Sequence, residues 1–335
     1  MHVSRSRLIA VGAVMLAVAG GVLAAGSFAS GPARPSPTQR PPLLRALPKR
    51  PAVPAAPTKA ATGSAQRTFV SAAAGNDANP CTRAAPCRNF AAAIAQTVSG
   101  GEVVVLDSGG YGTVTISQAV SLVAPPGVYA GISVFSGTGI TINAGLGDVV
   151  TIRGLTLNGL GGDDGIDFNS GAALYVQDSV FKNFAVNGIL ADTGTNTRVG
   201  IADSLFSRSG NVGVILQTNV QGTIDRCRFE DGSNDGFAAS ANSNVVVRDS
   251  VASGNQSVGF LAQTGSQLDI ENSVTTHSGY GLAALNGGMR VSQTTIEENL
   301  NGVAEFGTGT ITSFGNNRFA GNTTSGSFTS TILLK

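Results

Sequence analysis

The sequence of 335 residues predicts an all-β fold: a right-handed parallel β-helix (solenoid) with a short N-terminal capping helix. Three observations carry this reading. A unit of roughly 23 residues recurs along the chain, apolar and polar positions alternate within each unit, and no proline follows Pro126.

The repeat aligns on an apolar residue read as inward-facing: Ile152, Val176, Ile201, Ile224, Val247, Ile270, Val291 and Phe314. Two places later most copies carry Asp or Asn (Asp178, Asp203, Asp249, Asn272, Asn316). These types accept the left-handed backbone that a sharp corner between two strands requires. The next place is a small polar column of Ser179, Ser204, Cys227, Ser250, Ser273 and Thr294. Two further on stand Leu157, Phe181, Phe206, Phe229, Ala252, Thr275, Ile296 and Phe319. A glycine recurs at 165, 188, 213, 236, 259, 281 and 302, each time before an apolar residue. It is expected to relieve the same backbone strain. Each unit thus supplies three short strands. One coil cannot bury its apolar face alone, but coils stacked about 4.8 Å apart bury continuous columns. The regular Leu and Asn signature of a leucine-rich repeat is missing.

Composition fits many short strands and tight turns: 45 Gly, no Trp, and only 12% charged residues. The net charge of +1 divides unevenly, since residues 1–60 hold eight Lys or Arg and no acid, leaving 13 basic and 20 acidic residues beyond them. The folded part is therefore mildly acidic, which argues against nucleic acid as a partner.

Three segments follow. Residues 1–30 read as a signal peptide or membrane anchor: Arg5 and Arg7 precede an apolar run from Leu8 to about Ala25, with small residues Ser27 and Ala29 beyond. Read as an anchor, residues 8–29 would tether the chain to a membrane. Residues 31–66 form a Pro-rich basic linker, with nine of the 13 prolines between 31 and 60. Residues 67–335 form the β-helix domain, beginning with a strand at Thr68-Phe69-Val70-Ser71. Phe90, Ile94 and Val98 share one face of a helix over 90–98, which Gly100-Gly101 ends. This organisation places the protein in a secreted, periplasmic or cell-surface setting. In such an oxidising compartment Cys81 and Cys87, close together in one loop, are expected to pair, and Cys227 to be a buried, unreactive thiol.

The alternating strands, the Asn/Asp corners and the coil length resemble the pectate-lyase-like β-helix superfamily over about residues 68–320. The span TFVSAAAGNDANPCTRAAPCRNFAAAIAQTVSGGEVVVLDSGGYG resembles the N-terminal part of exported bacterial β-helix proteins of unassigned function. The superfamily includes lyases, hydrolases, epimerases and adhesins. Its lyases place acidic calcium ligands and a basic residue on one sheet, which here corresponds to the strand after the repeating glycine. The outward positions of that strand are Asp167, Leu190, Ile215, Ala238, Leu261, Ala283 and Ala304. Only Asp167 is polar, whereas a catalytic groove needs convergent charges. Leu190, Ile215 and Leu261 instead form an exposed apolar stripe, which a loop, the C-terminal tail, a ligand or self-association of two copies is expected to cover.

One coil offers site chemistry. Asp163, Asp164 and Asp167 lie within five residues of one another, the first two in a loop and the third on a strand facing out. As hard oxygen ligands they are candidates to hold calcium, and as a carboxylate pair they are candidates for acid–base glycoside chemistry. His277 stands about five coils away, on the order of 24 Å, and reads as a surface corner residue. The outward row Asp225, Arg248, Glu271 and the pair Asp269 with Arg290 read as a structural charge ladder. Tyr175 should point outward, a modest aromatic platform for sugar. The expected function is polysaccharide or protein-surface binding at the cell envelope without strong catalysis. The alternatives are a polysaccharide lyase or glycoside hydrolase using Asp163, Asp164 and Asp167, and a structural or adhesive spacer.

Overall fold

The structure, a computed structural model, describes residues 63–332. The signal or anchor segment and nearly all of the linker lie outside the described residues. Among the described residues no helix is long and apolar enough to cross a membrane. The domain begins slightly earlier than its composition suggests, because the first strand, Ala65–Val70, starts inside the segment read as linker.

Each coil lays down three parallel strands, so that three long sheets of 12, 10 and 9 strands run along the stack. One coil shows the pattern: Ala173–Gln177 belongs to the first sheet, Val180–Lys182 to the second, and Asn187–Asp192 to the third. Apart from shifts at Ala65/Arg67 and Phe168/Ser170, register between coils is residue for residue. Val176 pairs with Ile152 and Ile201, and the column continues through Ile224, Val247, Ile270 and Val291. These side chains are buried, as are Phe181, Phe206 and Phe229 of the second sheet. The three rings stack at centroid separations of 4.8 and 5.4 Å. Each fully buried Val, Leu, Ile or Phe contributes roughly 1.5–3 kcal/mol, so repetition of the columns supplies the core. The column departs from the sequence alignment at its last member. Val291 pairs with Ser313, not Phe314, because the left-handed corner there falls on Gly315.

The corner between the first and second sheets behaves as its residues require. Asp178, Asp203, Asp249 and Asn272 all have positive φ, and Arg226 and Gln293 take the same conformation in the intervening coils. The following serine column is a hydrogen-bonded ladder. Ser250 Oγ donates to Arg248 O at 2.6 Å and accepts the Cys227 N–H at 3.1 Å, and Ser204 Oγ accepts the Ser179 N–H at 3.2 Å. Cys227 takes a serine's place in this column, and burial pushes its thiol up to about 12.

The repeating glycine has a different cause from the one its sequence position suggests. None of the seven has positive φ. The constraint is space: a Cβ on Gly188 would lie 2.4 Å from Gly213 O, and one on Gly213 would lie 2.4 Å from Gly236 O. Successive coils approach too closely there for any side chain.

The stripe of Leu190, Ile215 and Leu261 is not left bare, as expected of a large apolar patch. The three lie on the outer side of the third sheet, yet Ile215 and Leu261 are fully buried and Leu190 is half-buried. They belong to a second apolar cluster with Val212, Ala238, Val258 and Ala283, against which Tyr280, Leu285 and Phe306 pack. They are packed side chains rather than a face presented to solvent.

Near the start of the β-helix domain, the helix spans Phe90–Gln96 and stops short of Val98. Thr97 already begins the next strand, with its Oγ1 donating to Ala93 O at 2.7 Å. The helix buries Phe90 and Ile94 against Ala65–Val70, Thr97–Val105 and Val114–Ile116. Cys81 and Cys87 form a disulfide. Their loop bonds to Ala65–Val70, the edge strand of the first sheet: Phe69 N donates to Cys81 O and Cys87 N to Phe69 O. An unpaired strand edge is thereby covered.

Candidate functional site

The acidic coil is not assembled as its sequence suggests. Asp163 is exposed in its loop, whereas Asp164 opens the strand Asp164–Ser170 and is buried. Asp164 Oδ1 accepts the Asn187 N–H at 3.0 Å and the Asn187 Nδ2 at 2.8 Å. Burial nevertheless pushes the Asp164 carboxyl up to about 6, with the charges of Asp167 and Asp163 adding to the effect. Asp167 is buried on the outer column of the third sheet, between Thr141 and Leu190. Arg153 lies in the first sheet, paired with Asp178, and Lys182 lies in the second. Among the described residues no group of three or more His, Cys, Asp or Glu side chains converges as metal ligands would. His277 sits exposed at a positive-φ corner.

A further acid emerges from the fold. Asp235 lies in the same column as Asp164, reached through Asn187 and Val212. It is 2% exposed, accepts the Val258 N–H at 3.1 Å, and burial pushes its carboxyl up to about 7. The sequence does carry its signal, since Asp235-Gly236 repeats the Asp164-Gly165 step. Three coil steps of about 4.8 Å separate the two carboxyls, too far for them to act as a pair.

The outer face of the first sheet presents a different arrangement. Tyr175, Gly200, Thr223 and Val246 are successive neighbours in one column. Arg198, Gln221, Asn244 and Gln267 form the parallel column two residues earlier. Together they shape a hollow of about 390 Å³ lined by Tyr175, Arg198, Gly200, Gln221, Thr223 and Asn244. The residue types explain the hollow. Gly200 and Thr223 are small, while Tyr175 on one side and Val246 on the other stand proud, 38% and 39% exposed. The Tyr175 ring leans over Gly200, with its Cδ1 2.8 Å from where a Cβ would be.

The polar members are uncommitted. Three other arginines along this surface are held in ion pairs, Arg153 with Asp178, Arg226 with Asp203 and Asp225, and Arg290 with Asp269, whereas exposed Arg248, like Arg198, is not. Gln267 donates its Nε2 to Asp269 Oδ1 at 3.1 Å. Among the described residues, the side chains of Arg198, Gln221 and Asn244 have no such partner, and all three are exposed. An aromatic face beside guanidinium and amide groups matches a sugar ring, whose C–H face stacks on tyrosine and whose hydroxyls pair with the donors and acceptors. Tyr175 is legible in the sequence as an outward aromatic. Arg198, Gln221 and Asn244 are legible only through their spacing of 23 residues, which puts them on one row.

The family description "Right handed beta helix region" matches residues 130–301. A search of curated proteins finds no match. Among solved structures, pectate lyase Pel9A superposes with a TM-score of 0.59 at 16% identity, covering 81% of this chain and 80% of that one. The A-module of the mannuronan C-5 epimerase AlgE4 from Azotobacter vinelandii aligns with a TM-score of 0.44 at 15% identity, over 70% of this chain and 91% of that one. The matched region spans just over half of the sequence and coincides with the coils described above, and the chain belongs to the right-handed β-helix family.

Proposed function

We propose that this protein binds polysaccharide at the cell envelope without turning it over, and that the hollow on the first sheet is its sugar site. One observation carries the reading: the Tyr175 ring over Gly200, flanked by the uncommitted side chains of Arg198, Gln221 and Asn244. The pectate lyase that shares the fold acts on a polysaccharide, which supports the ligand class. The export signal expected at residues 1–30 supports the location. Binding is tested on a polysaccharide microarray and by affinity electrophoresis with wild type, Tyr175→Ala and Gln221→Ala. Retention of wild type by at least one polysaccharide, weakened about tenfold in both variants, is expected. Retention unchanged in both variants moves the site elsewhere, and no retention by any polysaccharide removes the reading.

A second reading, glycan cleavage at the Asp163–Asp167 coil, draws on the raised carboxyl of Asp164, an acid able to hold its proton near neutrality. It requires unsaturated or new reducing-end products from a polysaccharide panel with calcium present. Those products must disappear in Asp164→Asn and Asp167→Asn variants that keep the fold.

A further inference from the structure

The row of polar side chains in the hollow continues past Arg198 and changes character. Arg198 pairs with Ala173, and Ala173 with Val149 on the next strand back. The row therefore reads Val149, Ala173, Arg198, Gln221, Asn244. It is apolar at one end and polar at the other, over four coil steps of about 4.8 Å each. Val149 is 42% exposed, and Leu146, in the turn that leads into it, is 71% exposed. In the coils of Arg198, Gln221, Asn244 and Gln267 the position three before the row is Thr195, Thr218, Ala241 and Thr264. The strand beside Tyr175 thus breaks the repeat by placing a large apolar side chain both on the row and in the turn before it. The turn is held in place. Asp148 Oδ2 accepts the Gly145 N–H at 2.8 Å, and Asp148 O accepts the Ala172 N–H of the next coil at 2.8 Å. Its carboxylate is engaged with the backbone, while Leu146 and Val149 stay bare at the edge of the hollow.

We infer that the sugar taken by the hollow carries a hydrocarbon chain, which lies on Leu146 and Val149 while the sugar's hydroxyls meet Arg198, Gln221 and Asn244. This rests on the sugar-site reading above. A plain glycan presents hydroxyls along its whole length and has nothing to offer an apolar edge. A hydrocarbon chain gains by leaving water for that edge. The ligand whose polarity changes once along its length matches a row whose polarity does the same. Two sources supply this chemistry. A glycolipid bears its chain on the anomeric oxygen, and an acylated polysaccharide bears it as an ester on a ring hydroxyl.

The test measures affinity of the full chain by ligand-observed NMR titration for glucose, galactose, mannose and N-acetylglucosamine. Each is used as its methyl glycoside, its octyl glycoside and its 6-O-octanoyl ester, below the concentration at which micelles form. For at least one sugar an eight-carbon chain should raise affinity at least tenfold over the methyl glycoside. A gain from the glycoside identifies the glycolipid and a gain from the ester the acylated polysaccharide; a gain from both admits either source. The double variant Leu146→Ser/Val149→Ser, a surface change, should abolish the gain while leaving the melting temperature and the affinity for the methyl glycoside unchanged. Tyr175→Ala should weaken all three forms. Absence of a gain in both linkages, or a gain that survives in the double serine variant, overturns the inference and leaves the sugar site standing. Failure of every form to bind overturns both.

Discussion

The ring of Tyr175 occupies the space that a side chain at Gly200 would need, one coil further along the same column. The neighbour is the far end of a rotatable side chain rather than backbone, so the conflict is resolved by swinging the ring. Gly200→Ala is therefore expected to leave stability within about 1 kcal/mol of wild type while weakening polysaccharide retention as much as Tyr175→Ala does. Thermal melting and affinity electrophoresis on the same samples check the pairing.

Gly213 is the contrasting case. A methyl there would meet the Gly236 carbonyl at 2.4 Å, and no rotamer relieves a clash with backbone. Gly213→Ala should cost roughly 2–4 kcal/mol. Chemical denaturation should show this for residue 213 and not for residue 200.

Asp235 makes stability depend on pH in an unusual direction. Its carboxyl titrates near 7 in the fold, well above an unfolded aspartate at about 3.9. Between these values the folded chain holds a proton that the unfolded chain has released. The contribution is complete below about pH 4 and is lost as pH rises through about 7. Asp164, raised to about 6, acts in the same direction. Asp107 acts oppositely. Burial works against its charge, but hydrogen bonds from Ser71, Tyr111, Ala72 and Ala73 prevail and hold it at about 2, so its contribution is lost as pH falls through that value. Stability should peak near pH 4–5. Asp235→Asn should recover on the order of 2 kcal/mol at pH 8 and little at pH 4, as read from denaturation midpoints across that range.

The serine ladder allows a substitution in each direction. Ser250→Ala removes the acceptor of the buried Cys227 N–H and should cost about 1–3 kcal/mol. Cys227→Ser completes the ladder and should be neutral to stabilising, since serine fills the position in the coils on either side. Denaturation midpoints of the two variants should move apart.

The architecture is legible in the sequence because a solenoid writes each tertiary neighbour at a nearly constant offset. Val176, Ile201 and Ile224 touch because they recur, and the same arithmetic finds the phenylalanine stack and the αL aspartates. Where the offset changes, the reading slips, as at Phe314, displaced by the Gly315 corner. Cause is harder to read than position. The glycine row is found correctly, but its need for space rather than backbone freedom depends on how closely one coil approaches the next. The site is less legible again. Alternation marks Ile215 and Leu261 as outward, but whether an outward residue is bare or packed does not follow from alternation. The proximity of Asp163, Asp164 and Asp167 in sequence likewise does not make their side chains converge. Arg198, Gln221 and Asn244 become conspicuous only once their lack of other partners is visible.

Residue-for-residue register also sets the currency in which this protein can change length. Removing one residue from within a strand throws the rest of that strand's side chains onto the wrong face. Removing a whole period, such as the 23 residues from Arg248 to Ile270, rejoins like to like. Variation in such a chain is therefore quantised in coils. A period lost beyond Gln267 would leave the hollow intact. A period lost between Arg198 and Asn244 would shorten it by one step, and the chain would become a ruler with one fewer division.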